Sequence, residues 1–163
     1  MKHEDQRSFR SKAGFTLIEV IVVMAMMAAL MAISVPSFMG WRQNLKYRET
    51  AREVASMLRE AKSRAITNNR EQQVQFDAIN QKYGMRPGNR AYSTNWSDAS
   101  IPLVTNWTIL DGQVKISGAP SIEFTPNGVA SAVGTVSIQD TSGVTRFNVN
   151  VTQTGRISIT QGS

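Results

Sequence analysis

The sequence contains no cysteine, and its only histidine, His3, lies close to the N-terminus. Without cysteine the chain has no disulfide, no thiolate nucleophile and no cysteine-ligated metal site. Without a histidine in the remainder of the chain, a histidine-based triad or zinc site is excluded there as well. A catalytic centre would therefore need paired carboxylates or an activated lysine.

The acidic residues of the C-terminal part show no pairing of this kind. They are scattered among predicted turns: Asp77, Asp98, Asp111, Glu123 and Asp140. Their spacing is not that of a calcium-binding loop, and Asp140 in Asp-Thr-Ser-Gly is too isolated to indicate a calcium site. We therefore expect that the protein is not an enzyme and has no catalytic residue, cofactor or bound metal.

Polar side chains are also nearly absent from Phe15 to Val35, where only Thr16, Glu19 and Ser34 interrupt the apolar run. A helix of this length spans roughly 30 Å, the thickness of the hydrocarbon core of a bilayer. The residues before the run carry a net positive charge, which favours an N-terminus in the cytoplasm. The run is therefore expected to insert into a membrane.

Glu19 is unusual because a carboxylate within a membrane helix costs a few kcal/mol. It could reach the headgroups from a position near the helix end, or it could be protonated. Alternatively, cleavage after Gly14 would expose an α-amino group on Phe15, with a reference pKa of about 8. In a low dielectric this ammonium, on the same chain or on a neighbour, would attract the Glu19 carboxylate strongly, and only at the correct axial stagger.

The motif Lys12-Ala-Gly14-Phe15-Thr-Leu-Ile-Glu19, followed by an apolar helix that ends at Pro36, resembles the class III signal of type IV prepilins and type II secretion pseudopilins. The resemblance implies cleavage between Gly14 and Phe15 by a prepilin peptidase, N-methylation of Phe15, and a role for Glu19 in filament assembly. It also implies contacts with other pilin or pseudopilin subunits, with the inner-membrane assembly platform and, before assembly, with membrane lipid.

Two alternatives remain for the same stretch. A secretory signal peptide, cleaved at Ala32-Ile33-Ser34, would give a mature N-terminus near Val35 and is the alternative in which the protein is a periplasmic enzyme. The apolar run is longer than the usual signal-peptide core of roughly 7–15 residues and contains an acidic residue. A plain membrane anchor would explain the length of the run but neither Gly14-Phe15 nor Glu19.

Pro36 and Gly40 predict a helix break after the apolar segment. Helical periodicity then continues from residue 37 to residue 69, with Asn68-Asn69 as the stop. The apolar positions form an alanine-rich stripe suited to close packing on a sheet: Trp41, Leu45, Tyr47, Ala51, Val54, Ala55, Leu58, Ala61 and Ala65.

The formal net charge of +6 is concentrated in this second half of the helix. Residues 41–70 contain eight lysines or arginines against three glutamates, whereas residues 71–163 contain six residues of each sign. A nucleic-acid surface is one interpretation of such a helix. We favour a solvated face above anionic headgroups that meets acidic neighbours in a filament.

After residue 69 the period of the apolar residues changes to two, which predicts β-strands. The expected strands are 73–76, 82–85, 107–110, 113–116, 121–124, 134–140, 145–151 and 155–160. Asp111-Gly112 is expected to form a two-residue hairpin turn, and Gly128 and Gly155 are expected in turns. In the polar loop 87–100, Tyr92 and Trp96 either anchor a partner or, as we favour, pack onto their own domain.

The predicted fold is α+β and pilin-like, with a long N-terminal helix packed on a C-terminal antiparallel β-sheet domain. We expect a cleaved leader (1–14), a transmembrane or filament-core helix (15–36), its amphipathic continuation (37–69) and a β-rich periplasmic domain (70–163). The protein would cross the bacterial inner membrane once, with its N-terminus in the cytoplasm, before it enters a filament.

The patterns Phe124-Thr-Pro126-Asn-Gly128, Thr135-Val-Ser-Ile138 and Val149 to Ile157, which includes Thr154-Gly155-Arg156-Ile157, resemble the GspH/FimT group of minor pseudopilins and minor pilins. This second resemblance implies a minor subunit of a pilus or pseudopilus, in the tip or initiation complex. A major pseudopilin subunit is the alternative.

Some FimT-type minor pilins take up DNA through a C-terminal Gly-Arg-x-Arg segment, which gives a third function to consider. Gly155 and Arg156 match that segment, but Ser158 replaces its second arginine. One arginine provides about one phosphate contact, which is too little for useful affinity unless Arg146 or the basic helix contributes. We therefore favour a structural role for Arg156 in its hairpin.

Overall fold

A computed structural model describes residues 14–89, 95–97, 101–102, 104 and 106–162, with only the backbone described for residues 34–37. Its described part consists of one long helix, α1 (Leu17–Thr67), followed by nine β-strands. The chain divides into two compact units, and the division falls between Trp41 and Arg42.

In the N-terminal unit, α1 presents its apolar side chains to the surroundings. Phe15, Leu17 and Ile18 are 83%, 81% and 65% exposed. The other side chains described between residues 14 and 41 are exposed as well. The most apolar part of α1 has a mean hydropathy of 2.5 and no buried residue, and it is long enough to cross a membrane. In the described part of the chain, nothing covers this apolar surface.

The helix continues through Pro36 and Gly40, so the helix break predicted at these two residues is not present in this structure. A proline inside a helix removes one N–H donor, and a long helix can accommodate that loss without ending. Gly40 lowers the helix propensity by only about 1 kcal/mol relative to alanine, which is small for an element of 51 residues.

In the C-terminal unit, the predicted apolar stripe of α1 packs on the β-strands and begins at Tyr47. The two residues placed before it in the prediction do not belong to it, because Trp41 is exposed and Leu45 is half-buried. Beyond Tyr47 the stripe is fully buried at Ala51, Val54, Ala55, Leu58, Ala61 and Ala65. Its small alanine side chains allow the helix to lie close to the strands.

The C-terminus of α1 lies immediately before the predicted stop at Asn68-Asn69, which is confirmed. Asn69 has a left-handed backbone conformation, with φ of 47°. The N–H of Arg70 donates to the Ala65 carbonyl at 3.1 Å, and the N–H of Asn69 donates to the Ile66 carbonyl at 3.3 Å. This pair of bonds is a Schellman motif, which satisfies carbonyls left open at the helix end.

The strands form two antiparallel sheets. Their bounds are β1 (Gln72–Asp77), β2 (Lys82–Pro87), β3 (Thr108–Ile109), β4 (Lys115–Gly118), β5 (Ser121–Phe124), β6 (Ala130–Ala132), β7 (Gly134–Gln139), β8 (Thr145–Val151) and β9 (Ile157–Gln161). The first sheet has the order β3-β2-β1-β5-β6, and the second has the order β4-β7-β8-β9. Both contribute buried side chains to one core with α1, among them Tyr83, Phe124, Ile138 and Val149.

The turn at Asp111-Gly112 is not the hairpin that its sequence predicts. β3 pairs with β2 in the first sheet, and β4 pairs with β7 in the second sheet, so this turn carries the chain from one sheet to the other. Lys46 of α1 holds the turn, since its Nζ donates to Asp111 Oδ2 at 2.7 Å and to Gln113 Oε1 at 3.2 Å. Asp111-Gly112 is therefore a crossover between sheets.

The short strand β6 was not predicted, because its sequence Ala-Ser-Ala has no β-branched or aromatic residue. It pairs with β5 at an irregular register between Glu123 and Phe124.

Candidate assembly site

The site lies at the start of α1, where Thr16 caps the helix. The N–H of Glu19 lies 3.1 Å from the Thr16 carbonyl and 3.3 Å from Thr16 Oγ1. Thr16 is thus the N-cap and Glu19 the third helical residue, the spacing of a capping box. A carboxylate in the first turn also interacts favourably with the helix dipole. This role of Glu19 was not predicted, although the Thr-x-x-Glu spacing indicates it.

All the side chains of this site are exposed. Phe15 and Glu19 lie four residues apart along the chain, and both are exposed in the part of the chain that the structure describes. A Cβ built on Gly14 would meet no described atom within 4 Å. The fold of the described residues therefore does not require a glycine at position 14.

The structure offers no metal centre within the described ranges, where no group of three or more histidine, cysteine, aspartate or glutamate side chains comes together. A surface cavity of about 470 Å³ lies beside β1 and β4, and its lining includes one carboxylate, Asp77. Hydrogen bonds from the side chain and backbone of Asn80, and from the backbone of Ile79, lower the pKa of Asp77. This carboxylate therefore serves the turn between β1 and β2.

Arg156 is exposed in the turn that joins β8 and β9, and Ser158 faces Asn150 across the strand pair. Arg146, which we considered as a second DNA contact, is held by Asp140 through a 2.8 Å ion pair. Hydrogen bonds lower the pKa of Asp140, and the bond from the Val144 N–H has the largest effect. The Asp140 carboxylate therefore stays charged beside Arg146. The geometry thus leaves Arg156 without the support of Arg146.

The two glycines of the GspH/FimT-like patterns lie in turns, as predicted, and the turns pack against each other. Gly128 and Gly155 have φ of 76° and 72°. A Cβ on Gly155 would lie 2.2 Å from the Gly128 carbonyl oxygen. Lys62 Nζ of α1 donates to the Gly155 carbonyl at 3.0 Å. These patterns therefore describe two turns that meet above the helix.

Trp96 packs onto its own domain, which confirms the alternative that we favoured for this residue. Arg86 Nη2 donates to the Trp96 carbonyl at 2.6 Å, and its guanidinium lies 5.2 Å from the centroid of the Trp96 ring. Tyr92 and the leader residues 1–13 lie outside the described residues.

A long helix that is apolar in its first half, an antiparallel β-domain packed on its second half, and a first-turn glutamate beside Gly14-Phe15 define the pilin class of proteins. Two family profiles match the sequence: "Prokaryotic N-terminal methylation motif" over residues 9–35 and "Type II transport protein GspH" over residues 50–155. The chain therefore belongs to the GspH family of minor pilins and pseudopilins, which are structural subunits of filaments.

Solved structures show the same fold at low sequence identity. The minor pilin FimU of Pseudomonas aeruginosa is 17% identical, with 69% of this chain and 91% of that chain covered and a TM-score of 0.53. The minor pseudopilin EpsH of Vibrio cholerae is 13% identical, with 72% and 97% covered and a TM-score of 0.57. GspH of E. coli is 14% identical, with 73% and 90% covered and a TM-score of 0.54. A search of the curated proteins found no match.

Proposed function

We propose that a prepilin peptidase cleaves this chain between Gly14 and Phe15, that Phe15 is then N-methylated, and that the mature subunit joins a type IV pilus or type II secretion pseudopilus at its tip or initiation complex. The observation that supports this proposal most is the exposed apolar half of α1 with Glu19 in its first turn. Lipid covers that surface before assembly, and the helices of neighbouring subunits cover it afterwards.

Glu19 has a specific task in this scheme. Glu19 lies four residues after Phe15, which corresponds to a rise of roughly 6 Å when the helix of the mature chain extends to its new N-terminus. The ammonium of a neighbouring Phe15 therefore reaches Glu19 only when the two helices are displaced by about that distance. In the apolar filament interior an unpaired carboxylate is costly, so the pair selects this stagger over others.

The absence of a structural reason for Gly14 also supports the cleavage site. Since a Cβ at position 14 would meet nothing among the described residues, an external partner, the peptidase, is the simplest reason for a glycine there. The proposal includes an inner-membrane stage with the N-terminus in the cytoplasm and the β-domain in the periplasm, and delivery by the assembly platform. It also includes local loosening of the helix at Pro36 and Gly40 in the packed filament.

The test compares the Glu19→Ala and Glu19→Asp variants with the unchanged chain in the host cell. Glu19→Ala should be cleaved and held in the membrane, yet its content in sheared filaments should fall about ten-fold or more, as expected when a low-dielectric ion pair is lost. Glu19→Asp keeps the charge and should incorporate better than Glu19→Ala. Equal incorporation of Glu19→Ala and the unchanged chain would contradict the proposal, and the subunit ratio in the filaments distinguishes a minor from a major subunit.

A further inference from the structure

The exposed side of α1 in the C-terminal unit carries its charges as a repeated dipeptide: Arg48-Glu49, Arg52-Glu53 and Arg59-Glu60, all six of them exposed. At 3.6 residues per turn, the three arginines fall within about 40° of the helix circumference, and so do the three glutamates. The centres of the two sets are about 100° apart. We call these sets the arginine flank (Arg48, Arg52, Arg59) and the glutamate flank (Glu49, Glu53, Glu60).

The glutamate flank is partly satisfied within the chain. Glu60 accepts an ion pair from Arg64 at 2.6 Å. Glu53 lies beside the hydroxyl of Tyr83, and burial together with the nearby Glu53 carboxylate raises the pKa of Tyr83 to about 12. Glu60 therefore has an ion-pair partner on its own subunit, and Glu53 lies beside a buried hydroxyl.

The arginine flank, in contrast, has none of the ion pairs found in the described part of the chain. Its three positive charges lie nearly in a straight line over roughly 16 Å of helix, since each residue adds 1.5 Å. Arginine forms directional hydrogen bonds with carboxylates. A line of three arginines therefore favours a neighbouring surface that carries negative charge.

The spacing of the line indicates what that neighbour is. Steps of four and seven residues are set by the helical rise and pitch, so a second helix alongside presents carboxylates at matching heights if it repeats the same steps. The glutamate flank of this chain is an example of carboxylates that follow these steps of four and seven residues along one side of a helix. A membrane surface or an isolated anion has no corresponding spacing.

We infer that the arginine flank docks the carboxylates of a parallel helix in an adjacent filament subunit, and that this subunit is a different chain. We assign a different chain because Glu60 is ion-paired with Arg64 and Glu53 lies beside Tyr83, so the glutamate flank of a second copy is a poorer match for three arginines. The inference rests on the proposed function, which places subunits side by side in the same orientation.

The lack of cysteine permits a direct test on the full-length protein in host membranes and filaments. Ser63 is exposed and lies about one turn beyond Arg59, so Ser63→Cys carries a benzophenone maleimide as the sole label. After illumination, mass spectrometry should identify an adduct with a helical segment of another pilin-type subunit that has carboxylates at the expected spacing. The triple reversal Arg48→Glu, Arg52→Glu and Arg59→Glu should lower the adduct yield on the order of ten-fold, because attraction becomes repulsion at three positions.

The matched control reverses three exposed cations away from the arginine flank: Arg70→Glu, Lys115→Glu and Arg156→Glu. It changes the net charge equally and should leave the adduct yield within about two-fold of the unreversed chain, since these charges lie outside the contact. Reversal of the partner's matching carboxylates to lysine should restore the yield with the reversed flank.

An adduct with a second copy, with lipid or with nucleic acid would overturn the inference, and so would equal yields from the reversed and unreversed flanks. The mature mass and filament content of the labelled chain report on the proposed function separately. If that function fails, the chain stays uncleaved or outside the filaments, and the inference falls with it. If only the inference fails, the chain is cleaved and incorporated while the flank reversal has no effect.

Discussion

The substitution Gly155→Ala tests whether the two motif turns and α1 form one packed junction. At Gly155 the backbone is left-handed, with φ of 72°. An alanine pays a conformational cost of roughly 1–2 kcal/mol in that region. Its Cβ would also lie 2.2 Å from the Gly128 carbonyl oxygen and 3.1 Å from Lys62 Nζ. The carbonyl belongs to the backbone of the neighbouring turn, so that turn must move, at a further cost of roughly 1–3 kcal/mol.

Gly143→Ala is the matched control for this substitution. Gly143 has a comparable φ of 86°, but a Cβ there would meet no atom within 4 Å. It should therefore show the backbone term alone, roughly 1–2 kcal/mol. The total expected for Gly155→Ala is about 3 kcal/mol, the sum of the backbone and packing terms.

Urea unfolding of the C-terminal unit, residues 42–163, measures both free energies of unfolding. The difference between the two variants is the packing contribution of the junction. If Gly155→Ala and Gly143→Ala lower the free energy of unfolding by the same amount, the two turns are not in close contact and the proposed packed junction is refuted.

Three further outcomes are expected. Gly14→Ser should retain the leader, because the peptidase loses its cleavage site while the fold loses no contact; a normal mature mass would count against Gly14-Phe15. Tyr83 should make the C-terminal unit sensitive to alkali: its pKa is about 12 when folded and 10.0 otherwise, so the unfolded state releases the proton first and stability falls as pH rises from 10 to 12. Each pKa unit corresponds to about 1.4 kcal/mol, and Tyr83→Phe should show a shallower decline in the same range. In gel-shift assays with duplex DNA, Arg156→Ala should bind no more weakly than the unchanged unit; a salt-sensitive loss of binding would instead support the DNA-uptake alternative.

The parts of the fold that were predicted correctly are those that local chemistry determines. The buried stripe from Tyr47 to Ala65 follows from apolar residues at helical spacing, and the helix stop follows from the tolerance of Asn69 for a left-handed conformation. Strands such as β7 and β8 follow from alternation of apolar and polar residues. In each case the decisive interactions lie within a few residues along the chain.

The errors concern interactions between distant residues. Asp111-Gly112 has hairpin chemistry, but pairing of β3 with β2 and of β4 with β7 decides its role. The helix is continuous through Pro36 and Gly40 in this structure, and loosening at these two residues stays a prediction for the packed filament. For the candidate site, the sequence alone predicted the motif at Gly14, Phe15 and Glu19. The lack of ion pairs at the arginine flank could be seen only in the folded structure, because ion pairing depends on which side chains the fold brings together.

The apolar surface between Phe15 and Trp41 has a consequence for how filaments grow. The N-terminal half of α1 is not stable in water with this surface uncovered, because exposure of its apolar side chains to water is strongly unfavourable. Under the proposed function, each subunit therefore passes directly from lipid to its neighbours at the bilayer, so we expect recruitment at the base of the growing fibre and the first molecules recruited at its far end.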